Sequence, residues 1–314
     1  MRAVKSGEIR FFFNYFARCG NWFPHRAPSI FMKKIRLATR GSPLALRQAE
    51  MAAEFMGGMS AGTQFEVVEI KTSGDKRQDW SLEKFGGQGL FTKEIEDALA
   101  EGIADVAVHS AKDLPTRISA NFSVFGFLPR RACRDVLALR SGVGIPSLIA
   151  TGSPRRRAQL KKMFPQAVWT EIRGNVETRL KKIVSGAADA TVLSEAGLER
   201  LGISSFDGVR FVPLKLDVCV PAVGQGIIAL ECRASDAEKY AYMTDSASAE
   251  MFALERRFLS GLGGGCQAAF AANFDGRFFR FYHESSGFRK ISFPDGADIA
   301  EMFGIVDGIV STLG

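Results

Sequence analysis

With 314 residues, 46% of them hydrophobic and 24% charged, the chain has an ordinary globular composition and room for two or three cores. Its net charge of +7 misleads: residues 1–34 hold seven Lys/Arg against one Glu and the rest is nearly neutral, so nucleic-acid binding is not indicated. Five cysteines without a C-x-x-C pair argue against a zinc site and a disulfide scaffold, and no apolar run reaches the roughly 20 residues of a membrane span.

In chain order, residues 1–32 come first. Phe11-Phe12-Phe13 and Tyr15-Phe16 are too interrupted by polar residues and arginines for a signal peptide. The segment is expected to be a disordered leader, with translation starting at Met32; an Arg-rich organelle transit peptide is the alternative. The protein is therefore expected in the cytoplasm.

From Ile35 short apolar strands alternate with amphipathic helices. Strands are expected at 35–38, 65–70, 105–109, 123–127, 136–139, 147–150, 168–172, 190–193, 209–212 and 227–231. Helices are expected at 43–57, 92–101, 154–164, 175–185, 195–201 and 246–260. Such alternation predicts βαβ units and largely parallel sheets. Gly41-Ser42-Pro43 and Gly152-Ser153-Pro154 each follow a strand, and Gln48 and Gln159 stand five residues after the prolines. That faint repeat predicts two similar α/β lobes facing a central cleft, as in periplasmic-binding-protein-like folds, with ligands at the strand ends. The expected division is domain 1 over 33–130 and 224–243, domain 2 over 131–220, and a small α/β domain 3 over 244–314. In the last, strands are expected at 270–274, 278–282 and 291–293 and a helix at 297–312.

Three places carry chemistry. Residues 151–182 hold nine Lys/Arg against Glu171 and Glu177, and Arg155, Arg156 and Arg157 fill a helix's first turn, against its dipole. Arg173 and Arg179 gather at a second helix start, so a polyanion is the expected ligand; a solvated basic face is the plainer alternative. Lys112-Asp113 follows the strand at 105–109, where a carboxylate is placed for acid–base or electrostatic work, unless Asp113 merely caps a turn. Cys266 follows three glycines, as an attachment thiol or an incidental loop cysteine, whereas Cys219 and Cys232 read as structural cysteines inside apolar strands. Residues 84–92, glycine-rich and without P-loop spacing, read as a lid leading into a helix capped by Thr92.

Eight stretches in order, residues 35–48 (IRLATRGSPLALRQ), 85–91 (FGGQGLF), 105–115 (DVAVHSAKDLP), 152–160 (GSPRRRAQL), 172–180 (IRGNVETRL), 196–202 (AGLERLG), 221–233 (PAVGQGIIALECR) and 264–267 (GGCQ), resemble the hydroxymethylbilane synthase (porphobilinogen deaminase) family. The resemblance implies a monomeric transferase of heme biosynthesis that joins four porphobilinogen molecules head to tail with loss of ammonia. It implies a dipyrromethane cofactor bound by thioether to Cys266 and contacted by Lys112, Ser42, Ser153, Arg155, Arg156 and Arg173. It also implies a catalytic Asp113, which steadies the substrate's cation, and substrate contacts from Arg40, Arg179, Arg200 and Phe91. Neither a metal nor a nucleic acid is implied. Gln88, Ala111, Gly263 and Ala268-Ala269 depart from the usual family residues. The competing reading is a bilobed organic-anion-binding protein without catalysis.

Overall fold

The computed structural model describes residues 34–71, 92–263 and 269–313; the expected leader and lid lie outside them. The first sheet is built from β1 (Lys34–Arg40), β2 (Gln64–Ile70), β3 (Val106–Ser110), β4 (Phe122–Phe127) and β10 (Ile228–Arg233), in the order β2-β1-β3-β10-β4. The second contains β5 (Asp135–Arg140), β6 (Leu148–Ala150), β7 (Val168–Thr170), β8 (Ala190–Ser194) and β9 (Val209–Pro213), in the order β7-β6-β8-β5-β9. Three antiparallel strands, β11 (Phe270–Phe274), β12 (Phe278–His283) and β13 (Gly287–Ser292), form the third.

The first two sheets match strand for strand. In each, a parallel triplet (β2-β1-β3, β7-β6-β8) is extended by one reversed strand (β10, β5) and then by an edge strand (β4, β9) that pairs antiparallel with it and so runs with the triplet. Four of the five strands in each sheet thus run one way, as expected of largely parallel sheets, and one is reversed. The exceptions are the strands by which the chain changes sheets: β5 enters the second directly from β4, and β10 returns directly from β9. Neither arrives over a crossover helix, which a parallel neighbour would require.

The central strand of each triplet leads into a helix: β1 into α1 (Pro43–Met59), β6 into α3 (Pro154–Leu160). The Gly-Ser-Pro repeat explains both starts. Ser42 Oγ accepts from the Ala45 amide at 3.3 Å and Ser153 Oγ from the Arg156 amide at 3.4 Å, with proline in the first turn. Both glutamines are buried. Gln48 binds Ser110 at the end of β3, and Gln159 bonds both the amide and carbonyl of Val220. α3 stops earlier than expected, six residues after Pro154; Pro165 biases its predecessor away from helix.

α2 (Lys93–Ala100) buries Ile95, Ala98 and Leu99, the i, i+3, i+4 stripe of an amphipathic helix. Thr92 takes the N-cap position but makes no side-chain cap bond. α4 (Val176–Val184) is capped by Asn175, whose Oδ1 accepts from the Thr178 amide at 2.8 Å. α5 (Glu195–Arg200) follows β8, and the short α6 (Ala237–Tyr240) follows β10. α7 (Ser246–Gly261) packs Phe252 and Phe258 among Phe127, Phe279 and Phe281, joining the first sheet to the third in one core. α8 (Ile299–Ser311), with an Asp298–Glu301 capping box, covers α7.

Two segments carry the chain between the large sheets, residues 128–134 and 214–227, and they are bonded together. Arg131 N donates to Gly226 O at 3.1 Å, Arg130 Nε to Gln225 O at 2.9 Å, and Gln225 Nε2 to Cys133 O at 2.7 Å. The buried Glu255 of α7 accepts from Arg130 Nη1 at 2.5 Å, Gly224 N at 2.7 Å and Phe274 N at 2.8 Å, which ties this junction to the third sheet.

Candidate functional site

The arginines of α3 are not solvated. Arg155 and Arg156 are each 8% exposed, and between them lies Asp135, the fully buried first residue of β5. Asp135 Oδ2 meets Arg155 Nη1 at 2.8 Å and Oδ1 meets Arg156 Nη2 at 2.7 Å. Burial would push the Asp135 carboxyl up, but the two guanidiniums hold it far below the usual carboxylate range. Arg155 Nη1 also donates to Val220 O at 2.6 Å, and Arg156 Nη1 to Val192 O at 2.8 Å.

Lys112 and Asp113 form a 3-10 turn straight after β3. Burial brings the Lys112 ammonium down to about 8; Asp113 and Asp135 resist that fall, while Arg156 and Arg155 add to it. Those four groups therefore surround Lys112, and the strand end of the first sheet meets the helix start of the second. Asp113 is exposed, and its carboxylate bonds to no other described residue, so it does not cap its turn.

Arg179, one turn into α4, is brought down to about 10 by burial and by the nearby Arg156 and Arg173. Its Nε donates to Gly174 O at 2.8 Å, and Arg173 Nη2 pairs with Glu171 at 2.8 Å. Among the described residues Arg155, Arg156, Arg173, Arg179 and Lys112 thus share Asp135, Asp113 and Glu171 as nearby counter-charges, and the surplus is positive. Arg200 ends α5 and donates Nη2 to Gly226 O at 2.7 Å; burial and Arg131 bring it down to about 10. Its buried Nε has no partner among the described residues. Arg40 stands half-buried at the end of β1, and Ser42 and Ser153 act as helix caps. Cys266 and Phe91 lie outside the described residues.

Two residues of this cluster were not singled out from the sequence: Asp135, outside the resembling stretches, and Gln225, inside the stretch 221–233. A surplus of first-turn arginines asked for an internal acid, and Asp135 heads the otherwise apolar run DVLAL, but spacing alone did not pair them. His109 is a structural residue, its Nε2 lying 2.9 Å from Glu231 Oε2 inside the first sheet. Cys232 lies buried in β10 as expected, whereas the buried Cys219 lies in the turn before Val220 rather than in a strand, bonding Asp135 at 3.4 Å.

A family pattern described as "Porphobilinogen deaminase, dipyromethane cofactor binding domain" matches residues 35–241. The porphobilinogen deaminase of Cytophaga hutchinsonii is 41% identical over 244 residues, covering 74% of this chain and 77% of that protein. The probable porphobilinogen deaminase of Ignicoccus hospitalis is 40% identical over 249 residues, covering 76% and 81%. Among solved structures, the VFT2 domain of Bordetella pertussis BvgS (double mutant F375E/Q461E) matches at 16% identity and a TM-score of 0.41, covering 77% of this chain and 93% of that one; nothing is built on so loose a likeness.

Proposed function

The chain belongs to the porphobilinogen deaminase family, and from that premise we propose how its own residues divide the work. The enzyme polymerises four porphobilinogen molecules into hydroxymethylbilane, in tetrapyrrole biosynthesis. In each condensation the aminomethyl C–N bond breaks and ammonia leaves. A C–C bond forms between that methylene carbon and the free α-carbon of the terminal ring already held, which loses its proton, and water supplies the hydroxyl of the released chain.

The observation that carries the reading is the meeting of Lys112-Asp113 with Arg155, Arg156, Arg173 and Arg179 in one cationic cluster. Porphobilinogen carries acetate and propionate carboxylates, and a growing oligopyrrole multiplies them. A donor set of guanidiniums and one ammonium, short of internal counter-charges, fits such a polyanion. It fits a dipyrromethane for the same reason. Lys112, Arg155, Arg156 and Arg173 would hold that group's carboxylates, beside Ser42 and Ser153, and Cys266 would carry its thioether. When bound, the cofactor supplies the free pyrrole carbon to which the first substrate is joined.

Arg40, Arg179 and Arg200 receive the carboxylates of incoming substrate, and Phe91 is assigned to substrate binding by the family resemblance alone. The Asp113 carboxylate bonds to no other described residue, and its role is to stabilise the substrate cation formed as ammonia leaves and to take the α-proton. The domain division assigned to the enzyme is 33–130 with 224–243, 131–220 and 244–314, a reading supported by one sheet falling in each. The enzyme works as a cytoplasmic monomer; among the described residues no helix is long and apolar enough to cross a membrane.

Asp113→Asn tests the assignment. The amide keeps the size and removes the charge, and single-turnover rates on protein shown by mass to carry its cofactor are expected to fall by about a thousandfold or more, on the order of 4 kcal/mol of barrier. A rate within threefold of the parent would make Asp113 a bystander. An organic-anion binder without catalysis predicts no ammonia release in any variant.

A further inference from the structure

We propose that Asp135 is a positioning residue for this reaction: it holds the guanidiniums of Arg155 and Arg156 in the orientation in which they meet carboxylates. The proposal rests on the reading of those two arginines as carboxylate-binding. Every polar contact of the Asp135 carboxylate serves them or their surroundings. Oδ1 accepts from Arg156 Nη2 at 2.7 Å, Arg156 Nε at 3.2 Å and Gln225 Nε2 at 3.0 Å. Oδ2 forms an ion pair with Arg155 Nη1 at 2.8 Å and accepts from the Cys219 thiol at 3.4 Å.

The two arginines are consecutive on one helical turn, so without an anion between them they would repel and rotate apart. Arginine is a long side chain with much rotamer freedom to lose, and a fork fixed in advance loses less of it on meeting a ligand. Asp135 engages only Nη1 of Arg155, leaving that residue's Nε and Nη2 without a bond to any other described residue. Stability alone is a poor reason for a fully buried carboxylate, because buried ion pairs seldom outperform apolar packing of the same volume.

Gln225 extends the same arrangement to the junction between the large sheets. Its Nε2 is shared by Asp135 and the carbonyls of Cys133 and Arg134, so the arginine pair is referenced to both crossing segments. Asp135 also faces Lys112, together with Asp113, Arg155 and Arg156, and helps keep its ammonium charged.

Asp135→Glu separates position from charge, since it keeps the carboxylate and displaces it by a methylene. Full-length protein from cells unable to make porphobilinogen is incubated with porphobilinogen, and covalent mass gain is followed per folded molecule, the folded fraction being read by circular dichroism. Positioning predicts capture at least fivefold slower than the parent, and a smaller effect overturns it. If Asp135→Glu does not fold, Gln225→Leu decides: it removes one bond to Oδ1 without a charge change and is expected to slow capture at least threefold, with anything less overturning the proposal.

A second readout is one that a merely structural role would not move. In Asp135→Asn the alkaline limb of capture, set by Lys112, shifts to lower pH; an unmoved limb counts against the proposal. Arg155→Gln distinguishes the two levels. If it captures normally, the reading of the arginines fails. If it captures poorly while Asp135→Glu captures normally, only the positioning proposal fails.

Discussion

At the scale of the residue, the cations were legible and their internal anion was not. Arg155 and Arg156 stand out because a helix's first turn disfavours them, and that reading needs only sequence. Asp135 lies 20 residues away in the chain, and nothing local marks it as their partner. Lys112 gives the clearest pH test. Burial lowers its ammonium to about 8, so the charge is present below that pH and lost above it. A carboxylate held by Lys112 is therefore gripped below about pH 8 and released as pH rises through it. Capture of porphobilinogen by cofactor-free protein is expected to fall between pH 7 and 9. Lys112→Arg should move that fall to higher pH, and Lys112→Gln should lower the plateau and flatten it. A parent profile without an alkaline fall would show that Lys112 contributes no charge.

At the scale of the element, capping chemistry made the helices readable. Ser42, Ser153 and Asn175 each accept the backbone amide that their positions predict, and the helix starts follow. β13 was misplaced toward Ile291 and Phe293, because at Gly287–Ser292 the exposed Arg289 and Lys290 break the alternation that marks a half-buried strand. α6, four residues long, has too few turns for any periodicity. α2 carries a cost that sequence alone conceals. Glu96 is pushed up to about 7, first by burial and then by Glu231, with His109 partly opposing. Its folded pKa is above its unfolded value, so the ionised form is disfavoured in the fold. Stability is full below about pH 4.5 and declines as pH rises toward 7. Glu96→Gln is expected to raise the melting temperature at pH 8 and to leave it unchanged, or slightly lower, at pH 4.5. An equal gain at both pH values would point to packing rather than ionisation.

At the scale of the whole molecule, the two-lobed plan was visible in a repeat of only three residues and a spaced glutamine. Each copy proved to be the same device: the strand at the centre of a parallel triplet, a capped turn, and a helix pinned by a buried glutamine. The direction of β5 and β10 was not visible, because it depends on where the chain changes sheets, and that is a property of the path rather than of any strand's composition. The same path explains the site. Residues 128–134 and 214–227 bring the head of β5, with Asp135, beside the end of β3, with Lys112 and Asp113, so the proposed catalytic Asp113 and the arginine pair held by Asp135 come from different sheets. The central claim is the proposal that this cluster holds an oligopyrrole anchored covalently to Cys266. Intact-mass measurement of the protein from cells that make porphobilinogen tests it most directly. The account predicts the mass of the polypeptide plus one dipyrromethane, mapped to the peptide containing Cys266 and absent from Cys266→Ser, with further pyrrole increments when porphobilinogen is added. An unmodified mass in the parent, or an adduct retained in Cys266→Ser, would contradict it.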